Sequence, residues 1–383
     1  MRSAIDGSQV LLPADFDLRK ALAFGGRQSL FPLLFSGIEH SGISLPDDLR
    51  AAAESRMVKN LMTDSCQLSA LERLYAVFEQ NEIDYMPLKG ALLKYMYPST
   101  DMRPMGDADI LIRMEQYDRT RNVMQSLGFA EGVVTDHELV WKSADASVEL
   151  HKKLLPRYNR DYHAYYGDGW RLARRVSPDG FRYAMCDEDE LVYLITHLAK
   201  HYRKGGIGLR HLVDIWVYCR RKPQLDFLYI DEQLRRLDLM PFGENIIRTA
   251  KTAFEGGTPD AVGEAILAKM FTGGAFGTHE NRVLFEAALK NNTEHDLSRS
   301  RFKIALFHAF PPYATMKKIY PALDGKPVLT PAYWIVRGFD LLLHGRDRIR
   351  RQSEDMKTMS DENIQNYYDE LEYVGLGFNF KEN

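Results

Sequence analysis

Apolar residues recur every three or four positions along the first part of the chain. From about residue 16 to 82 this spacing predicts helices, and Leu71, Leu74, Val77 and Phe78 lie on one apolar face of the last of them. The stretch 45–48, Leu-Pro-Asp-Asp, predicts a turn followed by a helix start. The beginning of the chain is therefore expected to be helical.

The hydrophobic pattern changes at residue 85, where short apolar runs replace the helical spacing. The predicted elements are strand 85–88, helix 91–97, strand 107–113, helix 116–127, strand 133–141 and strand 147–150. Pro98 ends the first of these helices and Gly128 caps the second. This order over residues 70–155 indicates a small mixed sheet flanked by helices.

The remainder of the chain is expected to be almost wholly helical. Asp187, followed three residues later by Glu190, predicts a capping box at the start of a helix that runs through His201. The predicted fold class is α+β. Its expected parts are a helical segment at 1–70, a core with the sheet at 71–160 and a mainly helical domain at 161–383.

Composition and charge narrow the class of partner. The 50 basic and 53 acidic residues give a formal net charge of −3, which makes long nucleic acid an unlikely partner and favours a small or short substrate. The apolar run 191–198 is far shorter than the ~20 residues of a membrane span. Three separated cysteines and the lack of a signal-peptide pattern predict a soluble cytoplasmic protein without a membrane partner.

Carboxylates on neighbouring predicted strands suggest a metal site. Asp107 and Asp109 are two residues apart on one strand, so both side chains point to the same face. Two such carboxylates repel each other unless a cation lies between them, and Mg²⁺ takes hard oxygen ligands. Glu149 can supply a third carboxylate, and His151 shares its strand face. Taken alone, Asp-x-Asp could equally be a solvated strand edge.

The residues around this pair favour the functional interpretation. Gly90 opens a helix upstream, and the free N–H groups of Gly90 and Ala91 could hold the β- and γ-phosphates of a nucleotide. Lys89 and Arg103 add positive charge nearby. The combination predicts phosphate chemistry assisted by a metal ion.

At these residues the chain resembles the nucleotidyltransferase superfamily, in which a strand ending in Gly-Gly or Gly-Ser leads through a short helix to a strand with Asp-x-Asp. It is most similar to an uncharacterised bacterial nucleotidyltransferase family. The matching stretches are PLKGALL at 87–93, GDADILI at 106–112, VELH at 148–151, His197 to His201 and LRHLVD at 209–214. The sequence departs from the superfamily pattern at Ala91, where Ser or Gly is usual, and at Glu149, where Asp is common.

The resemblance implies the reaction and the residues that perform it. A nucleoside monophosphate would pass from a nucleoside triphosphate, ATP or another, to a hydroxyl or phosphate of a small-molecule, peptide or protein acceptor, with release of pyrophosphate. Asp107, Asp109 and Glu149 would be the catalytic residues and the Mg²⁺ ligands. The implied nucleotide-binding residues are Lys89, Gly90, Ala91, Arg103, Gly106, His151, His201 and Arg210. The region 71–160 would be the catalytic core, and 161–383 would cover the cleft and select the acceptor.

Several alternatives remain open on the sequence. His197 and His201, four residues apart on a helix, could be a zinc pair, could line the cleft over the nucleotide or could lie in the core. Arg210 and Asp214 could be a helix ion pair or lie near the site. The protein could also be a catalytically weak nucleotide-binding partner in an assembly. A transferase acting on RNA ends would need more basic sequence than the short runs at 171–175 and 346–351.

Overall fold

The structure is a computed structural model that describes residues 1–13, 15–273, 279–294, 306, 310–344, 358 and 360–377. The basic run at 346–351 lies outside these residues. The described part combines a five-stranded mixed sheet with many helices, so the predicted α+β class is confirmed.

Helices precede the sheet, as predicted. They are α1 (Arg2–Asp6), α2 (Leu18–Arg27), α3 (Phe31–His40) and α4 (Asp47–Gln80). The Asp17 carboxylate caps α2 by accepting the backbone N–H of Lys20. Helix α4 begins directly after Pro46, within the predicted turn, and Leu71, Leu74 and Phe78 are buried on its inner face. The period of the apolar residues therefore identified the side of α4 that packs on the sheet.

The sheet and the elements between its strands follow in chain order. They are β1 (Tyr85–Leu88), α5 (Gly90–Leu93), β2 (Ala108–Ile112), α6 (Tyr117–Ser126), β3 (Ala130–Val134), β4 (Glu138–Lys142) and β5 (Ser147–His151). The strand order is β1-β2-β5-β4-β3, in which β2 and β5 are parallel and the other pairs antiparallel. The predicted helix 91–97 is a single α-helical turn followed by a 3₁₀ turn, Lys94–Met96.

The prediction of one strand at 133–141 was wrong, because this segment spans a hairpin. Thr135 and Glu138 close the turn between β3 and β4: the Thr135 N–H donates to the Glu138 carbonyl at 2.9 Å, and the Thr135 hydroxyl accepts the Glu138 N–H at 3.1 Å. Val133 and Val134 are exposed on the edge strand, so this apolar pair resembles the start of a buried strand although the polar turn follows at once.

The two faces of the sheet have different chemistry. Ala108 and Ile110 of β2 are fully buried in a core with α4 and α6. Their neighbours Asp109 and Leu111 point to the opposite face, where Leu111 joins the core built by the later helices. Because strand side chains alternate, the carboxylates lie on the face that the helical half covers.

The helical half begins after a short two-stranded ribbon, β6 (Arg174–Arg175) and β7 (Tyr183–Ala184). Helix α7 (Arg160–Tyr166) precedes this ribbon. The helices after it are α8 (Asp187–Lys204), α9 (Leu209–Arg221), α10 (Phe227–Arg236), α11 (Met240–Glu255), α12 (Ala261–Gly273), α13 (His279–Glu294), α14 (Tyr313–Ile319), α15 (Thr330–His344) and α16 (Asp361–Tyr373). Among the helices of the described ranges, none is long and apolar enough to cross a bilayer.

The cap of α8 differs from the predicted capping box. Cys186 is the N-cap residue, and its sulfur accepts the Asp189 N–H at 3.4 Å. Glu190 is instead buried beside Lys89. The side chain that the sequence pattern assigned to capping therefore faces the sheet.

A buried ion pair joins the loop before β2 to α9. Arg103 donates from Nε and Nη2 to the two carboxylate oxygens of Asp214 at 2.9 and 2.8 Å, and the Tyr97 hydroxyl donates to the same carboxylate at 2.7 Å. All three side chains are buried. This bidentate contact holds the helical half against the sheet. The predicted domain boundaries at 70 and 160 stay a prediction.

Replacing Arg103 with methionine is expected to lower the free energy of unfolding by about 3–5 kcal/mol, because Asp214 would stay buried and lose its cation. Urea unfolding of wild type and variant measures the loss. The exposed pair of Arg19 and Asp48 has a similar N–O distance of 2.7 Å, so Arg19→Met is the matched control and should have little effect. Equal losses in the two variants would contradict a structural role for the buried pair.

Candidate active site

Three carboxylates meet at the floor of a cavity of about 440 Å³. Asp109 lies directly opposite Glu149 in the register of the parallel pair β2–β5. Asp107 lies just before β2 and, like the other two, lines the cavity. The predicted grouping of these three side chains on one sheet face is therefore what the described structure contains.

Asp109 is the most strongly held of the three. Its Oδ1 accepts hydrogen bonds from Lys89 Nζ at 2.6 Å and from His151 Nε2 at 2.7 Å. Burial alone would raise the pKa of Asp109, but the Lys89 ammonium and the His151 hydrogen bond outweigh it and hold this pKa far below its usual range. Burial lowers the pKa of His151, so a neutral ring with its proton on Nε2 fits this contact.

The surroundings of Glu149 have the opposite effect on its pKa. Burial, followed by a hydrogen bond and repulsion from Asp107, raises the pKa of Glu149 to about 9. Glu149 therefore holds a proton near neutral pH, as one of two close carboxylates does when no cation separates them. The site carries more negative charge than Lys89 alone neutralises.

A strained turn places Lys89 over Asp109. Lys89 has φ 45° and ψ −115°, a backbone conformation that residues other than glycine rarely adopt. The next residue, Gly90, starts α5, and an added Cβ there would lie 2.9 Å from Nη1 of Arg103 and 3.2 Å from Cγ of Met105. A side chain at position 90 would thus displace the Arg103 guanidinium, so the turn requires glycine.

Helices α8 and α9 form the wall opposite the carboxylates. His197, His201 and His211 line this wall, and the Nε2 atoms of His197 and His201 are 3.1 Å apart, within hydrogen-bond distance. Burial lowers the pKa of all three imidazoles, to about 4 for His211. The wall therefore presents neutral rings that can donate or accept hydrogen bonds.

Two arginines lie at the end of the cavity near Gly90. Arg103 uses Nε and Nη2 for Asp214, and its Nη1 lies next to Gly90. Arg210 donates one bond to the Pro104 carbonyl at 3.3 Å, and its buried Nε has no partner in the described part of the chain. Burial and the nearby Arg103 lower the pKa of Arg210. This end of the cavity is positively charged.

The donor set is suited to a hard divalent cation. Within the described ranges, Asp109, Glu149 and His151 form the one group whose three ligand atoms lie within 4.8 Å of one another, and Asp107 adjoins it through Glu149. Carboxylate oxygens suit Mg²⁺, whereas an imidazole is a softer donor. His197 and His201 belong to no such group among the residues described, which leaves the zinc alternative without a third ligand.

The predicted nucleotide-binding residues divide into two sets. Those that line the cavity are Lys89, Gly90, Arg103, Gly106, His201 and Arg210. Ala91 is buried in the core with α4, and His151 lies beneath Asp109. Their contacts with nucleotide stay a prediction.

Other lining residues were not predicted from the sequence. They include Glu138, Tyr158, Lys200, Lys204 and His211. The segment that contains Lys200 was identified through its two histidines, but a lysine between them has the usual pattern of a solvated helix face. The structure instead turns Lys200 inward.

The carboxylate floor, the glycine turn after β1 and the cationic groups above them are suited to phosphate and metal chemistry. The profile of the uncharacterised nucleotidyltransferase family matches residues 14–255. The chain belongs to this family, and nucleotidyl transfer is the class of reaction that the membership assigns to it. Searches of curated proteins and of solved structures returned no match.

Binding of Mg²⁺ is expected to release about one proton near pH 7.5, because a cation at the carboxylates removes the proton from Glu149, whose pKa is about 9. The apparent affinity should rise up to about tenfold per pH unit below this pKa. Titration calorimetry in buffers of different ionisation enthalpy counts the protons.

Two variants, Glu149→Gln and its control Glu131→Gln, test whether Glu149 is the source of the released proton. Glu131 is exposed on β3, so its variant should keep the proton release, whereas Glu149→Gln should lose it. Without metal, the raised pKa of Glu149 also makes the stability of the fold depend on pH. Between pH 4.5 and about 9 the folded state binds more protons than the unfolded state, so the free energy of unfolding falls as the pH rises through that window. Proton release that is the same in both variants would exclude Glu149 as its source.

Proposed function

We propose that the protein transfers a nucleoside monophosphate from a nucleoside triphosphate to an oxygen of an acceptor, in a reaction that depends on Mg²⁺. The shared position of Asp107, Asp109 and Glu149 on one sheet face, beneath a cavity with cationic groups, carries this proposal. Family membership supports the reaction class. The proposed acceptor is a hydroxyl or phosphate of a small molecule, peptide or protein.

In this proposal the three carboxylates hold the metal ion, and Asp107 and Asp109 coordinate it throughout the reaction. Bound Mg²⁺ would neutralise charge on the triphosphate and lower the pKa of the attacking hydroxyl. Nη1 of Arg103 and the guanidinium of Arg210 are positioned to contact phosphate oxygens near Gly90. The N–H groups at the start of α5 have no acceptor within the helix, which supports the same location.

The chemical step balances without any further reactant. The acceptor oxygen forms a bond to the α-phosphorus, the bond from that phosphorus to the bridging oxygen breaks, and pyrophosphate leaves with the electron pair. The hydroxyl proton passes to a carboxylate. Glu149 suits this role better than Asp109, because Asp109 already accepts hydrogen bonds from Lys89 and His151.

A nucleotide titration with and without Mg²⁺ tests the proposal. Wild-type protein should bind a nucleoside triphosphate at least about tenfold more tightly with Mg²⁺ than without it, and Asp107→Asn/Glu149→Gln should lose that difference. These amides keep the shape of the acids and leave the contacts of Asp109 with Lys89 and His151 intact. Calorimetry with each of the four ribonucleoside triphosphates also identifies the preferred base.

Asp145→Asn is the control for this experiment. Asp145 is an exposed carboxylate of the same small sheet region, in the turn before β5, and pairs with Arg73 on the surface. This variant should bind nucleotide like the wild type. Nucleotide binding that is equally dependent on Mg²⁺ in the double variant would disprove the carboxylate assignment. Binding that is independent of Mg²⁺ in every protein would favour a nucleotide-binding partner without catalysis.

A further inference from the structure

Lys200 on α8 is a cation without a counter-ion in the described part of the chain. It is only 9 % exposed and lines the cavity, yet its ammonium makes no hydrogen bond or ion pair there. An ammonium that loses part of its water and gains no partner destabilises the folded protein. Such an arrangement is understandable where a ligand supplies the missing negative charge.

Three of the other cations that line the cavity have partners, whereas Lys204 and Arg282 are exposed to water. Lys89 is bound to Asp109, Arg103 to Asp214, and Arg210 donates to a backbone carbonyl. Burial and the nearby Lys89 lower the pKa of Lys200 to about 7, against the attraction of Glu138 and Asp109. A carboxylate or phosphate placed beside Lys200 would restore its full charge, so anion binding there is favoured by both hydrogen bonding and charge.

Lys200 lies at the other end of the cavity from the arginines. Lys200 interacts electrostatically, besides Lys89, with Glu138 on β4, Asp109 and Lys204. Arg210 interacts with Arg103, Asp214 and Asp107. Strands β2 and β5, which carry Asp109 and Glu149, lie between β1 and β4 in the sheet, so the carboxylate floor separates the Gly90 end of the cavity from the Glu138 end.

The two ends of the cavity can bind two different substrates. The proposed triphosphate position is the end with Gly90, Arg103 and Arg210. The other end adjoins Glu149, the carboxylate proposed to take the proton, since Val140 beside Glu138 is the β4 partner of Glu149. An acceptor must approach from that side to bring its oxygen between Glu149 and the α-phosphate.

We propose that Lys200 forms an anion subsite for the acceptor and holds a carboxylate or phosphate group next to the oxygen that is nucleotidylated. Tyr158 and Lys204 flank this subsite, with Lys204 Nζ 5.9 Å from the centre of the Tyr158 ring. The acceptor is therefore an anionic molecule. This inference rests on the proposed function for the identity of the neighbouring substrate, but the subsite can be tested separately.

The test uses wild-type protein saturated with Mg²⁺ and an unreactive α,β-methylene nucleoside triphosphate. Inorganic phosphate and acetate are then titrated as probes, because they distinguish a phosphate from a carboxylate preference. Lys200→Met should bind the preferred probe at least about tenfold more weakly, with unchanged nucleotide affinity. Lys200→Arg keeps the charge and should retain most of the binding. Lys142→Met, at an exposed position on β4, is the control and should bind like the wild type.

Thermal unfolding gives a second readout that needs no nucleotide. Methionine at position 200 removes an unpaired buried charge, so Lys200→Met should unfold at a higher temperature than the wild type when no anion is present. The preferred probe should raise the unfolding temperature of the wild type more than that of the variant. A lower unfolding temperature for Lys200→Met without anion would mean that the lysine is a structural residue, and would overturn the proposal.

Two other results would also overturn it. Weaker nucleotide binding by Lys200→Met, with no probe binding to the saturated wild type, would assign Lys200 to the triphosphate. Equal probe binding by wild type and Lys200→Met would separate Lys200 from any anion site. If the wild type binds no nucleotide at all, the proposed function fails. Probe binding to the nucleotide-free protein that still depends on Lys200 would then support the subsite on its own.

Discussion

Burial of Asp109 is the constraint on which the rest of the site depends. A carboxylate inside the protein needs partners, and Lys89 and His151 supply them from β1 and β5, the two strands beside β2. Lys89 reaches Asp109 through a strained backbone conformation, which is tolerated because Gly90 follows it and Glu190 faces it from α8. Strand pairing, turn geometry and helix packing are thus all linked to one charged group, and they leave the second carboxylate pair, Asp107 and Glu149, without a cation of its own.

The helical half completes the cavity because buried charges join it to the sheet. The Asp214 carboxylate on α9 accepts three hydrogen bonds from Arg103 and Tyr97, which lie on either side of the 3₁₀ turn Thr100–Met102. A bidentate contact of this kind fixes direction as well as distance. It therefore sets the position of Arg210 and His211, which belong to the same helix as Asp214. Removal of this contact would alter both stability and the shape of the cavity.

Local rules predicted much of the carboxylate floor. Alternation along a strand is a property of the backbone, so the shared face of Asp107 and Asp109 followed from their spacing, and Glu149 followed from the next acidic strand. The partners could not be predicted in the same way. Asp214 is 111 residues from Arg103, and the pairing of Lys89 with Asp109 depends on a positive φ that no sequence pattern announced. The β3–β4 turn was missed because exposed valines continue the apolar pattern on an edge strand.

The distribution of charge around the cavity gives a physical reason for the order in which the cation, the triphosphate and the acceptor would bind. The floor is negative, one end carries Arg103 and Arg210, and the other carries Lys200 beside Glu138. The neutral histidines of α8 and α9 add hydrogen-bonding groups without adding charge. In the proposed reaction a cation would bind first, because Glu149 holds a proton until one binds. A triphosphate would bring further negative charge to the arginine end, and an anionic acceptor would then be drawn to Lys200. The cation would offset the carboxylates, the triphosphate would offset the cation and the arginines, and the acceptor would offset Lys200.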